Sequence, residues 1–315
     1  MAQTEFVCDM IAGIVSRAGF SQPDIARLLV YFAGENEGDE RRMCDLFRER
    51  FSHTPMIVPV AVPHFYYNGM CLEVDVFLSE GAAEVKKVTA SDVGLEIIRG
   101  AEQSFVVARL NLAESASTDS ELRGGMQAIE RALMAEGFSP DNLVSDHWLV
   151  PGKLERPDLG VLSGSPLVSN PDAAILVPAR QTLVGVLTFS AGGDAIPKHA
   201  AQTSEALVVR RGAGRSCWVS GVDRSASRDL PAQTRTIMAA IAKSLEEAGL
   251  SFDDVVKLTA HYVGGATPEE LHTNLAIRHA YYPEPEPAST GLPVAGFAHG
   301  DCKIAIDVFA RLHPA

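Results

Sequence analysis

Three stretches of this chain repeat one order of events: amphipathic helix, glycine, Ser/Asp turn, apolar strand. The first is Ala18-Gly19-Phe20-Ser21-Gln22-Pro23-Asp24-Ile25, running into Leu29-Val30-Tyr31-Phe32. The second is Glu136-Gly137-Phe138-Ser139-Pro140-Asp141-Asn142-Leu143, then His147-Trp148-Leu149-Val150. The third is Ala248-Gly249-Leu250-Ser251-Phe252-Asp253-Asp254-Val255, then Ala260-His261-Tyr262-Val263. Helices are expected over 6–17, 122–135 and 236–247. Each glycine then closes its helix in the left-handed conformation that side chains resist. Ser and Asp make the turn, and the β-branched run beyond it reads as a strand. Such self-similarity constrains a fold more than any other sequence feature.

The second and third copies stay in step elsewhere. Gly137 to Gly249, Arg123 to Arg235 and Arg99-Gly100-Ala101 to Arg211-Gly212-Ala213 all differ by 112 residues. The Gly-Ala pairs lie between apolar runs and predict β-hairpins. The first and third copies share their ends: Leu72-Glu73-Val74-Asp75-Val76-Phe77 matches Ile304-Ala305-Ile306-Asp307-Val308-Phe309. The middle copy has Leu183-Val184-Gly185-Val186-Leu187-Thr188-Phe189 there, without the acid. A second helix is expected over 39–51 and 268–281, while the Gly/Pro-punctuated stretch 151–171 reads as loop.

The unit is therefore β-β-α-β-α-β, an α/β (α+β) fold in three tandem copies over 1–80, 85–192 and 203–315. The first copy lacks the opening hairpin and the middle copy the second helix. Joints fall at Ser79-Glu80-Gly81-Ala82-Ala83 and Ala191-Gly192-Gly193-Asp194-Ala195.

The third copy resembles the Rid (reactive-intermediate deaminase, YjgF-like) family. The likeness rests on Ser220-Gly221, Gln233-Thr234-Arg235, the Gly249-to-Tyr262 segment, Pro287-Ala288-Ser289-Thr290 and Ile306-Asp307. The resemblance implies a pseudo-trimer made by one polypeptide around a barrel-like core, with ligand clefts between neighbouring copies. In size and in its last repeat the chain is also similar to the chorismatase family. Hydrolytic Rid members carry Pro-Ala-Arg-Ser-Thr, whose Arg grips the carboxylate of a 2-imino acid. Here Ser289 takes that place, Pro55-Met56-Ile57-Val58 is apolar, and Asn170-Pro171-Asp172 stands in the middle copy. No copy keeps the Arg in this reading, and neither Ser nor Thr can form a bidentate clamp.

By that resemblance Asp307 and Asp75 are the candidate cleft acids, since a carboxylate among apolar strand neighbours has a raised pKa suited to proton transfer. The alternative is a structural acid paired to an Arg. Ser220, Gly221 and Arg224 lie where the family's backbone approaches its ligand; a plain turn with a solvated Arg is the alternative. Ser289 and Thr290 complete the candidate binding set. His261, like His147, lies on a strand where alternation turns one residue of each pair inward; it is either a proton shuttle or a structural histidine. His64 and His299 are expected on exposed turns of a last hairpin.

His272 and His279 have no companion at metal-ligand spacing, so no metal site is expected. No P-loop, dinucleotide fingerprint or nucleophile elbow is present, and no cofactor is expected. A net charge of −13, with basic residues scattered or in pairs such as Arg41-Arg42, argues against a nucleic-acid partner. Five cysteines without C-x-x-C spacing fit a reducing compartment. The Met-Ala-Gln-Thr-Glu start carries no basic leader, and no apolar run reaches membrane length, so a cytoplasmic protein with no membrane partner is expected. A monomeric pseudo-trimer is expected, with further pairing left open.

Three functions follow. The first is a cofactor-independent enzyme performing acid/base chemistry on an imine, enamine or enol-type metabolite. The second is a chorismatase-like enol-pyruvyl ether hydrolase. The third is a metabolite-binding or scaffold protein without chemistry.

Overall fold

A computed structural model describes residues 2–33, 37–51, 53, 55–81, 84–112, 119–152, 154, 160–177, 182–192, 195–203, 205–213, 216–264 and 267–312. Among them are five helices: α1 (Ala2–Arg17), α2 (Glu37–Arg50), α3 (Asp119–Ala135), α4 (Leu230–Glu247) and α5 (Pro268–His279). Part of each expected joint, Ala82-Ala83 of 79–83 and Gly193-Asp194 of 191–195, falls outside the described residues, as does part of the 151–171 stretch. What is described of that stretch holds two short 3-10 turns, Gly160–Gly164 and Pro171–Ala173.

The repeated glycines do the work expected of them. Gly19, Gly137 and Gly249 have φ of 82°, 82° and 74°. After each, the chain folds back on the helix it leaves: Phe20, Phe138 and Leu250 donate to the carbonyls of Val15, Leu133 and Leu245 at 3.1, 3.0 and 2.9 Å. A 3-10 turn follows every time (Gln22–Asp24, Pro140–Asn142, Phe252–Asp254). In two copies the Ser21 and Ser251 backbone N–H groups donate to Asp24 and Asp254 at 2.8 Å, which fixes the angle of strand entry.

Each turn leads into a central strand: β1 (Ile25–Phe32), β7 (Leu143–Pro151) and β13 (Val255–Tyr262). Beside it run a parallel partner, β2 (Met56–Ala61), β8 (Ile175–Val177) or β14 (Ala288–Pro293), and an antiparallel one, β3 (Leu72–Leu78), β9 (Thr182–Ser190) or β15 (Ile304–Arg311). Opening strands β4 (Lys86–Ala90), β5 (Val93–Arg99) and β6 (Gln103–Asn111) extend the second sheet, and β10 (Lys198–Gln202), β11 (Ala206–Ala213) and β12 (Ser216–Asp223) extend the third. The sheet orders are β2-β1-β3, β4-β5-β6-β9-β7-β8 and β10-β11-β12-β15-β13-β14. Among the described residues the first sheet has three strands, with no hairpin before β1.

The unit is richer than β-β-α-β-α-β. The edge strands β4 and β10 and the parallel strands β2, β8 and β14 were not foreseen. Nor do the last two strands form a hairpin, because β15 lies between β12 and β13 while β14 runs parallel to β13 at the sheet edge. His64 and His299 are accordingly half-buried rather than exposed.

Each sheet turns one face to its own helices and the other to a common core. Leu28, Val30 and Phe32 of β1 pack with α1 and α2, whereas Ala26, Leu29 and Tyr31 join residues of all three units. That central core includes Val58, Val107, Val186, Leu149, Val209, Leu292 and Ala305. A barrel-like closure was expected, but the sheets remain open. Among the described residues they are joined by one isolated bridge, Ile175–Phe297, and side-chain packing does the rest. No described helix is long and apolar enough to cross a membrane.

Candidate active site between the third and first units

A shared irregularity makes the three inter-unit contacts comparable residue by residue. Register slips once in each central strand, between Ile25 and Arg27, Leu143 and Ser145, and Val255 and Lys257. The pairings Leu29–Asp75, His147–Val186 and Thr259–Asp307 then place Asp75, Val186 and Asp307 at one position. By the same pairing Arg27, Ser145 and Lys257 are equivalent, and so are Glu73, Val184 and Ala305. Thr290 opposes Thr259 as Val58 opposes Leu29.

Between the first and second units the counterparts of Thr290, Glu73 and Asp75 are Val58, Val184 and Val186, and Arg27 crosses over as a pin. It is 2% exposed, stacks 4.3 Å from the Phe77 ring and 5.0 Å from Phe105, and donates to the Leu187 carbonyl at 3.1 Å. Burial lowers its pKa to about 9.

Between the third and first units the polar set is complete. Lys257 Nζ donates to Asp75 Oδ1 at 2.7 Å and to Thr290 Oγ1 at 2.5 Å. Thr290 Oγ1 donates to Asp75 Oδ1 at 2.6 Å, closing a triangle. An ammonium has three donors, so one remains for another acceptor, and the Lys257 side chain is 25% exposed. Glu73 lies on the same face of β3. Burial, reinforced by the Asp75 charge, pushes its pKa up to about 7 against the pull of Lys257. The nearby Thr290 hydroxyl works with Lys257 against this rise.

Between the second and third units only the acid survives. Asp307 is 6% exposed, hydrogen-bonds Ser220, and has its Oδ2 3.6 Å from His147 Nδ1. Burial raises Asp307 to about 7 and depresses His147 to about 3 and His261 to about 4. Both histidines are thus neutral near pH 7. The His261 ring lies 5.8 Å from Tyr31 and 6.5 Å from His147, near where all three units meet. Across the same interface Asn170 donates to Ser220 Oγ at 3.2 Å.

The candidate residues thus fall into separate places. Asp75 and Thr290 meet; Asp307 and Ser220 meet at another interface; His261 stands between. Gly221 faces α4, where a Cβ would come 2.8 Å from Ile237 Cγ2, so its role is close helix–strand packing. Arg224 is ion-paired to Asp172 and is no free anion anchor. Ser289 is exposed, with Arg278 Nη1 donating to it at 3.4 Å. Sequence reasoning missed Lys257 and Glu73. It also missed a Pro-Ala-Arg run at Pro178-Ala179-Arg180, which lies outside the described residues and eight positions past Asp172, the register counterpart of Ser289.

No family model and no curated protein match the chain. Among solved structures it is similar to a chorismatase determined at 1.08 Å, with a TM-score of 0.58 and 14% identity over 91% of this chain and 93% of that one. Smaller proteins align to about a third of it. One is RidA from an Antarctic Psychrobacter (19% identity, TM-score 0.28, 36% of this chain and 85% of that one). Another is a putative translation initiation inhibitor from Salmonella typhimurium (20%, 0.32, 37% and 97%). The fold is chorismatase-like across nearly the whole chain.

Proposed function

We propose that the polar cluster between the third and first units performs general acid–base chemistry on a small imine, enamine or enol-type metabolite. One observation carries this reading. Among the described residues, of the three comparable interfaces this one alone brings two carboxylates, Glu73 and Asp75, together with a lysine, Lys257, and a hydroxyl, Thr290.

Glu73, with its pKa near 7, is the proton donor, because an acid matched to ambient pH is both present in its protonated form and strong enough to give the proton up. Lys257 is held by Asp75 and Thr290 with one N–H to spare, and offers fixed positive charge to the substrate's electron-rich end. Protonation of the substrate leaves an electrophilic carbon that water attacks. Asp307, only 6% exposed and without a lysine beside it, is the less favoured acid.

A chorismatase-like reaction is the second reading, favoured by the full-length likeness. It uses the same donor, now protonating an enol-pyruvyl ether, so that water addition and collapse release pyruvate. Incubating the protein with chorismate and with a freshly generated 2-imino acid, and following ketoacid release, tests both. Release from neither, with tight metabolite binding, supports the non-catalytic alternative.

A further inference from the structure

One location, the space between an edge strand and the next unit's hairpin, can be compared across all three interfaces. Between the second and third units it is filled: Asp172 is ion-paired to Arg224, and Asn170 bonds Ser220. Between the third and first there is no facing hairpin, because the first sheet has only three strands. Between the first and second both walls are present and none of the described residues fills the gap. A cavity of about 370 Å³ remains, within the usual range of small-molecule sites.

Its lining departs from the repeat. Val107–Val186 and Ser220–Asp307 align the two hairpins, which puts Glu96 where the third unit has Val209 and Arg109 where it has Val222. Both valines are buried in the central core. The second unit thus carries an ion pair, Arg109 Nη1 to Glu96 Oε2 at 2.7 Å, where its sister carries apolar side chains. Lys87 Nζ lies 3.9 Å from the other Glu96 oxygen. Arg48 and Glu84 are also on the wall, Arg48 being paired to Asp45 at 2.8 Å, which leaves Arg109 and Lys87 sharing the one Glu96 carboxylate. Met56, Ile57 and Val85 add an apolar side.

We propose that this cavity binds a small organic oxyanion, a carboxylate or phosphate monoester on an apolar body, at a site separate from the acid/base cluster. The anion takes hydrogen bonds from Arg109 and Lys87, and the body lies against Met56, Ile57 and Val85. Glu96 holds both cations in place and competes with the ligand for them.

Calorimetric titration of the full chain at low salt, with benzoate, phenyl phosphate and inorganic phosphate in turn, tests this. At least one aromatic anion is expected to bind saturably at one site and several-fold more tightly than inorganic phosphate; whichever aromatic anion binds more tightly identifies the headgroup. Arg109→Gln is expected to weaken it about tenfold, the loss of one charge-assisted hydrogen bond. Glu96→Gln, which removes the competitor, is expected to tighten it. Glu73→Gln is expected to leave it unchanged, keeping this outcome independent of the catalytic reading. Absence of saturable binding, an Arg109→Gln titration like that of the wild type, or weaker binding by Glu96→Gln overturns the proposal.

Discussion

Asp75 and Lys257 are 182 positions apart in sequence, yet their side chains meet at 2.7 Å, with Thr290 bonded to both. The contact exists because the first and third units close the ring of three, and it anchors the cluster to which chemistry is assigned.

The coupling between those two residues is measurable. The Lys257 side chain is a quarter exposed, so solvent weakens the pair below the value of a fully buried one. A double-mutant cycle with Asp75→Asn and Lys257→Met is expected to give a coupling of about 1 kcal/mol in denaturant unfolding. Strict additivity would remove the ion pair from the account.

Catalysis by Glu73 has a definite pH signature. The donor must be protonated, and its pKa is about 7. Turnover is therefore expected to be level in the acid range and to fall as pH rises through about 7. Glu73→Gln is expected to lower kcat by roughly 10² or more while leaving the melting temperature close to that of the parent.

Stability carries a second pH signature. Asp307 is raised to about 7, so the folded state keeps a proton that the unfolded chain has lost; stability falls as pH rises through that window. His147 and His261 are depressed to about 3 and 4, so stability also falls as pH drops below the ordinary histidine value. Asp307→Asn removes the first effect only. Its melting temperature relative to wild type is expected to be higher at pH 8 than at pH 5 by a few °C. A difference independent of pH would show that Asp307 is ionised in the folded protein.

Arg27 separates packing from charge. It is buried with aromatic rings on its guanidinium and carbonyl and hydroxyl acceptors for its Nη atoms. Arg27→Ala is expected to cost about 3 kcal/mol in chemical denaturation, whereas Arg27→Met, which fills the space, is expected to cost much less. Equal losses would mean that the hydrogen bonds, and not the filled volume, hold the first unit to the second.

Gly221 gives a direct check on its packing role. Gly221→Ala places a methyl 2.8 Å from Ile237, and overpacking of this kind is expected to destabilise by about 1–3 kcal/mol. A stable Gly221→Ala variant with impaired ligand binding would instead return this residue to the ligand.

What could be read from the sequence was whatever repeats locally. Gly19, Gly137 and Gly249 end helices, and the Asp-Val-Phe strands pair as their likeness suggested, because these features depend on neighbours in the chain. The edge strands β4 and β10 escaped notice because they are almost wholly exposed and so show no apolar alternation. β14 was hidden by its Gly and Pro, which an edge strand tolerates. Lys257 drew no reading, since nothing near it in sequence names Asp75 as its partner. Glu73 was overlooked beside Asp75, although alternation puts both on one face of β3. Arg224 was an attractive anchor only while Asp172 was unplaced.

The most direct test of the central claim is ketoacid release from a 2-imino acid and from chorismate by the wild type, Glu73→Gln and Asp307→Asn side by side. The account predicts release from at least one substrate by the wild type, near-complete loss in Glu73→Gln and substantial activity in Asp307→Asn. Undiminished release by Glu73→Gln, loss confined to Asp307→Asn, or no release from either substrate by the wild type would contradict it.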